Sequence, residues 1–411
     1  MTTLPKPTLP DRQTAIVIIG IVLVGLNLRP GIVSIAPVLE LIRVDLEMSY
    51  AVVSFLTAIP VFCIGLFALG TPIIHRKLGS ETGVFWGVIL IGIATGLRIF
   101  GDIVAILFIT TVLVGVGIAV TQTLLPSIVK SYLENHVAFA TGLYTASLSL
   151  GAALTSALTV PAAGYLGSWT AGLAIWGLLA VGAVIVWFKV LRNSQQVTIS
   201  NPVSHQELSE SGGYIPWRNP FAWAMTLVAT INVSIYYSML TWYAPRYVSL
   251  GWSEDAAGII LTVFIIAGLL GMLTITVFGD LTPDRRIWMV PMTILAVIGA
   301  TGIGMAPELF PWGWAVLLGF GIGGWYSLIL ILPVDYSVHP RQTAKLSSMV
   351  IGGGYMSGAI APFLIGGIRD AVGDFSIAFI GIAVLTLIAM VMSFLFSPHR
   401  EPISTNVDQE A

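Results

Sequence analysis

Charged residues are scarce in this chain. Of its 411 residues only 9% are Asp, Glu, Lys or Arg, against roughly a quarter in soluble domains. Hydrophobic residues make up 56%, and mean hydropathy is +0.93. That balance excludes a soluble globular protein and reads as a polytopic membrane protein. Cysteine is nearly missing as well: the lone Cys63 lies inside an apolar run, so no intramolecular disulfide can form. There is no cluster with metal-ligand spacing, no nucleophile motif and no Walker-type phosphate loop. The connections between apolar runs are too short to house a catalytic domain. An enzyme and a single-chain ATP-driven pump are therefore not expected, nor is a cofactor, a metal or a nucleic-acid partner. The expected partners are a small-molecule solute and the lipid bilayer, with the chain a monomer.

What is present is a series of long apolar runs. A spanning helix needs about 20 mainly apolar residues. Twelve such runs occur, at 14–37, 50–74, 81–99, 102–130, 138–166, 169–191, 220–246, 254–280, 286–306, 311–334, 343–368 and 374–397. Lys6 and Arg12 precede the first, which is too long for a signal-peptide core and lacks a small-residue cleavage site; it is expected to be an uncleaved helix. Most connections are short and force antiparallel neighbours. The exception, 192–219, is rich in Ser, Asn, Gln and Pro. The predicted organisation is an all-α membrane protein of twelve transmembrane helices. It comprises an N-terminal six-helix bundle (1–191), a cytoplasmic linker (192–219), a C-terminal six-helix bundle (220–398) and a cytoplasmic tail (399–411).

Lys and Arg set the expected orientation. With the N-terminus in the cytoplasm, thirteen basic residues fall inside, from Lys6 and Arg12 to Arg400, and four fall at the outer ends: Arg43, Arg98, Arg246 and Arg369. This positive-inside bias predicts both termini in the cytoplasm. The halves also echo one another. Asn27 maps onto Asn232 and Thr57 onto Thr262 at an offset of 205, and Leu124-Leu125-Pro126 onto Ile331-Leu332-Pro333 at 207. A duplicated unit is a common plan for secondary transporters. Small residues four apart (Ser147 and Gly151, Gly319 and Gly323, Gly354 and Gly358) mark expected close helix contacts.

One residue breaks the apolar pattern. Arg29, in Asn27-Leu28-Arg29-Pro30, lies too deep in the first run to snorkel to an interface. An arginine at a helix centre costs about 2.5–3.5 kcal/mol on insertion scales. Pro30 and Pro37 weaken the backbone ladder nearby, as suits a helix that lines a cavity. No Asp or Glu occupies the middle of any run, and all five histidines lie in loops or tails, so Arg29 has no evident counter-ion. A guanidinium offers a planar fork of donors matched to planar anions. The reading is that Arg29 binds an anionic substrate; the competing reading is a structural arginine satisfied by backbone carbonyls or by a neighbouring helix. Without a buried carboxylate, organic cations are disfavoured as cargo, and so is the common arrangement in which such a group carries a coupling proton.

Twelve spans in two halves with a central loop resemble the major facilitator superfamily. Its signature between the second and third helices is partly kept: Arg76 and Lys77 are present in Gly70–Gly79, but the acidic residue is missing. The second-half counterpart keeps Asp284-Arg285-Arg286, so an inter-helix charge latch is expected from Arg76, Lys77, Asp284 and Arg285. Within the superfamily, "NLRPGIVSIAPVL" in the first run is similar to the cyanate permease and nitroimidazole transporter family. So are "GLR" at 96–98, "LLPSIVK" at 124–130, "TGLYTASLSLGAAL" at 141–154 and the glycine-rich stretch 346–375.

The resemblance implies the two-bundle major facilitator fold, transport of a small solute by alternating access, and a central path lined by the first, fourth, seventh and tenth helices. On that basis the expected substrate-binding set is Arg29, Asn27, Gln122, Asn232, Tyr236, Tyr326 and Tyr355. Asn27 and Asn232 would face the path from opposite halves. Adjacent side chains point apart, and Tyr236 is chosen over Tyr237 because it lies one turn beyond Asn232. Tyr144, Ser147, Ser347, Thr121, Thr123, Trp242, Tyr243 and Trp325 are further cavity candidates. Arg98 and Arg246 are candidates for a gate or secondary anion site. The leading expectation is a transporter of a small anionic or anion-like solute across the plasma membrane. Two others are an exporter of hydrophobic or nitro-heterocyclic compounds with Arg29 structural, and a receptor, disfavoured by the lack of a signalling domain.

Overall fold

The computed structural model describes residues 12–133, 137–198, 216–282, 284–337, 340–398, 400 and 403. Twelve of the described helices are long and apolar enough to cross a membrane. They are α1 (Thr14–Asp45), α2 (Tyr50–Ala68), α3 (Ser80–Phe100), α4 (Val104–Val129), α5 (Phe139–Leu166), α6 (Trp169–Arg192), α7 (Pro220–Ser249), α8 (Glu254–Phe278), α9 (Arg286–Met305), α10 (Pro311–Asp335), α11 (Lys345–Val372) and α12 (Ser376–Ser393). Aliphatic side chains remain exposed around the outside, Leu178, Val277 and Val391 among them, as a hydrocarbon solvent permits.

Two boundaries differ from expectation. The first span does not stop at residue 37 but runs to Asp45, with Glu40 inside it. The prolines interrupt this helix rather than end it. It is helical over Arg12–Leu28, breaks at Arg29, resumes over Pro30–Val33, tightens to a 3-10 turn at Ala36–Val38, and continues over Leu39–Asp45. Pro30 takes the first position of a new helix, where its missing N–H is not needed. The sixth helix extends to Thr198, so the first residues of the expected linker are helical. Residues 199–215 lie outside those described, as does most of 399–411; of that tail, Ile403 donates its N–H to the Tyr336 carbonyl, 2.9 Å away.

The small-residue pairs are contact points. A Cβ on Gly25 would fall 2.9 Å from Ser147, and one on Gly151 would strike the Leu26 carbonyl, so α1 and α5 touch backbone to backbone. Gly319 and Gly323 admit the α8 backbone at Phe264 and Gly268, and Gly358 admits Val233 of α7. Without a hydrophobic drive between helices in lipid, such close packing supplies the attraction.

Short connections alternate the helices, so both ends of the described chain lie on one face, the termini face. Bonds between the halves gather toward the other, far face. There the Asp370 carboxylate at the end of α11 accepts from the backbone N–H groups of Tyr50 (2.9 Å) and Ala51 (2.8 Å), which open α2. An acidic group on a helix N-terminus satisfies orphan donors and meets the positive end of its dipole. Ser156 of α5 donates to the Gly258 carbonyl of α8 at 2.8 Å, and Thr262 of α8 to the Ala153 carbonyl at 3.3 Å. Thr57 of α2 bonds Thr241 of α7 at 2.8 Å. Thr57 and Thr262, equivalent in the repeat, thus each reach across to the other half. Gly366 completes the closure, with the Tyr50 carbonyl 2.5 Å from where a Cβ would stand.

Gly366→Leu should therefore wedge the far face open. A cysteine at Thr241 in a Cys63→Ser chain should react from that face with an impermeant maleimide about tenfold faster when Gly366→Leu is present, the scale set by one to a few kcal/mol of overpacking. Equal labelling rates would show that this contact does not hold the closure.

Candidate functional site

Between the halves lies a cavity of about 430 Å³. Its lining reaches Pro126 and Val129 of α4, Thr141 of α5, Leu330 of α10 and Ser347 of α11, all toward the termini face. On the far side it stops beneath the closure. Arg29 stands at its deep end, in the break of α1, 9% exposed.

Arg29 owes its position to that break. Pro30 cannot donate to the helical ladder, and the Arg29 carbonyl instead accepts from Ile32 and Val33, each at 3.0 Å. Its Nη1 donates to the Tyr237 hydroxyl at 2.6 Å across the two halves. No Asp, Glu, Lys or His is among the described residues lining the cavity. Arg29 is therefore a single positive charge there, with one of its five N–H donors engaged by a neighbouring side chain and no carboxylate to neutralise it.

Phenols surround it. Tyr144, Tyr236, Tyr237, Tyr326 and Tyr355 all line the cavity, and the Tyr326 and Tyr355 hydroxyls bond each other at 3.0 Å. Tyr236 and Tyr237 meet edge to face with centroids 5.2 Å apart, and Tyr237 meets Tyr355 likewise at 5.9 Å. Such pairs hold ring faces at fixed angles. Two buried atoms of the lining, Oε1 of Gln122 and the hydroxyl of Tyr144, have no hydrogen-bond partner among the described residues. Buried polar atoms are rarely left unsatisfied, so both are free to meet a solute.

The expected residues separate on this geometry. Arg29, Gln122, Asn232, Tyr236, Tyr326 and Tyr355 come together on the cavity, joined by Thr123, Tyr144 and Ser347. Asn232 also donates to the Ile322 carbonyl at 3.2 Å, tying α7 to α10. Asn27 does not face its repeat-mate: it is buried outside the lining, its Nδ2 without a partner among the described residues. The preference for Tyr236 over Tyr237 needs correcting too. Both reach the cavity, because α7 is buried on nearly all sides, and Tyr237 is the one that touches Arg29. Thr121, Ser147, Tyr243 and Trp325 are buried elsewhere, and Trp242 belongs to the far closure, donating to the Pro362 carbonyl at 2.8 Å. The α8 wall of Phe264, Ile265 and Met272 went unnoticed in sequence because apolar side chains there look like any lipid-facing helix.

The remaining basic candidates lie apart. Arg246 is no free anion site: Nη1 pairs with Asp374 at 2.9 Å and Nη2 with the Ser376 hydroxyl at 2.9 Å, clamping α7 to the start of α12 at the far face. Arg98 is fully buried within the first six helices, outside the cavity lining. Of the latch residues, Arg285 pairs with Asp335 at 2.8 Å and with the Gly279 carbonyl at 2.7 Å, while Asp284 pairs locally with Arg286 at 2.7 Å. Arg285 thus makes a cross-helix ion pair with Asp335. Arg76 and Lys77 lie in the helix Tyr50–Leu78, and their side chains are outside those described.

Comparison with known proteins places this architecture. The family model described as Major Facilitator Superfamily matches residues 17–336 and 244–411. The cyanate transport protein CynX of Escherichia coli (strain K12) is 28% identical over 385 residues, 93% of this chain and 97% of that protein. The 2-nitroimidazole transporter of the same organism is 29% identical over 394 residues, 96% and 98% of the two chains. A crystal structure of a bacterial homologue of the human lysosomal transporter Spinster, inward-facing and unoccupied, superposes with a TM-score of 0.72 at 16% identity, covering 94% of this chain and 97% of that one; the likeness is one of fold.

The Arg246–Asp374 clamp has a pH signature. Partial burial raises the Asp374 carboxyl, but hydrogen bonds from the Ser376 hydroxyl and amide and the Arg246 charge outweigh it and bring the group down to about 2. A lowered carboxyl contributes stability that is complete above its unfolded value near 3.9 and is lost as pH falls through about 2. Asp374→Asn should flatten the acid limb of thermal stability between about pH 4 and pH 2. A melting series in detergent with the same acid limb in both proteins would contradict this.

Proposed function

The chain belongs to the major facilitator superfamily, a family of multi-pass membrane transporters, and we propose that it moves a small anionic or anion-like solute by alternating access. The observation that carries this reading is Arg29: a lone positive charge at the deep end of a central cavity, with spare donors and no lining carboxylate among the described residues. Two relatives named for cyanate and 2-nitroimidazole transport agree with it. Cyanate is an anion, and a nitro group presents a planar pair of electron-rich oxygens to a guanidinium fork.

Arg29, Gln122, Asn232, Tyr236, Tyr237, Tyr326 and Tyr355 are the proposed ligand set. The Arg29–Tyr237 bond joins the two halves through the site itself, so a solute that competes for Arg29 bears directly on the contact between them. Transport is secondary or facilitative, since no nucleotide motif is present. The basic residues crowd the termini face, so both termini sit in the cytoplasm of a plasma-membrane protein, acting as a monomer. The cavity then opens inward in this conformation. With no carboxylate among the described lining residues to carry a proton, the carrier is a uniporter, an anion exchanger, or a symporter in which proton and anion enter together.

The cavity volume favours keeping a second reading. At about 430 Å³ with five tyrosine rings, the site exceeds what a triatomic anion fills and suits a planar ring. In that reading the protein exports hydrophobic or nitro-heterocyclic compounds and Arg29 is structural.

The two readings part at Arg29→Gln. If the anion reading holds, binding of cyanate, nitrate or aryl carboxylates should weaken roughly tenfold to a hundredfold, the worth of a charged hydrogen bond, with the fold intact by melting. Tyr237→Phe should cost about tenfold, the lower end for a hydrogen bond to a charged group. Undiminished anion binding by Arg29→Gln in proteoliposome uptake would defeat the proposal and favour the exporter.

A further inference from the structure

Arg98 occupies the 3-10 turn Leu97–Phe100 that ends α3, packed against α4 and the start of α6. It is 0% exposed, and Nε, Nη1 and Nη2 are all buried without a hydrogen-bond partner. Other arginines of this protein are answered. Arg43 grips Glu40 at 2.6 Å, Arg246 grips Asp374, Arg285 grips Asp335, Arg286 grips Asp284, and Arg369 lies over the rings of Tyr50 and Phe375. Arg98 has no carboxylate, no carbonyl and no ring among the described residues. One turn earlier on the same helix face, the Thr95 hydroxyl is also buried and also without a partner.

A buried charge stripped of water and left unpaired is among the costliest arrangements a fold can contain. The carboxyl end of α3 favours a cation through its dipole, but it gives this guanidinium no hydrogen bond. A water molecule would satisfy Thr95 and leave the charge standing. Every group offered here is a donor, and the central cavity does not reach it. We propose that Arg98 and Thr95 hold a small monovalent inorganic anion, resident within the first six helices and separate from the solute path. The ion neutralises Arg98 and ties the end of α3 to α4 and α6, so the protein's stability depends on anions even when the central site is empty.

The test uses the purified full chain carrying Arg29→Gln, which neutralises the central site, with sodium chloride titrated against sodium gluconate at constant ionic strength. Binding to the native state alone raises stability by mass action. Chloride should produce a saturable rise in melting temperature. Arg98→Gln should abolish that rise, and Thr95→Val should move its half-maximal concentration up about fivefold, as for one lost hydrogen bond. No chloride response in the Arg29→Gln protein overturns the proposal, and so does a response that survives Arg98→Gln. Should Arg98→Gln not fold, an unshifted midpoint in Thr95→Val does the same. Because Arg29 is removed throughout, the outcome is independent of the role proposed for the central site.

Discussion

A single guanidinium midway along the first span organises this protein. Arg29 cannot reach an interface, and no carboxylate among the described residues comes to meet it. The fold accommodates it by breaking the first helix at the residue itself, so that the side chain meets a cavity instead of lipid. Irregular backbone at that depth is tolerated only beside a cavity or inside protein, and here it is both. The neighbour that takes its hydrogen bond, Tyr237, comes from the opposite half, so the charge that would attract a solute is also part of the joint between the bundles.

The rest of the joint is built from backbone. Glycines at 258 and 366 let helices of one half rest on carbonyls of the other, and Asp370 caps a helix that belongs to the other bundle. These contacts cluster on the far face, while the cavity lining runs toward the termini face. Interfaces made of close backbone approach are either seated or separated, with little between. Two bundles meeting in that way are what the alternating access proposed above requires.

Much of this was legible in the residues. Twelve apolar runs specify twelve helices because hydrocarbon leaves backbone no other way to satisfy itself. The expense of Arg29 was visible for the same reason, and the Ser147–Gly151 and Gly319–Gly323 spacings announced the close contacts they make. Other features were not legible. Pro30 and Pro37 signal a disturbance in α1, but not that the helix resumes and carries Glu40 and Asp45 within the span. Adjacent tyrosines on α7 were expected to diverge, one toward the cavity and one away. On a helix buried on nearly every side, two neighbouring directions both end on the same curved cavity. Arg246 and Arg98 look alike in sequence, each a basic residue near the end of a span. One is paired through Asp374, which lies 128 residues away, and the other is paired with nothing among the described residues.

The sequence by itself determined the membrane class, the number of spans, the two-part repeat and the presence of one unexplained positive charge, because each follows from hydropathy and chain-local spacing. The tertiary structure alone decided which polar groups share a space. That Tyr237 answers Arg29, that Asn27 does not face Asn232, that Asp335 takes Arg285 and that Arg98 has no partner among the described residues all depend on how separate helices are rotated and set against one another. Those rotations are fixed by close packing between surfaces far apart in the chain, and no local pattern encodes them.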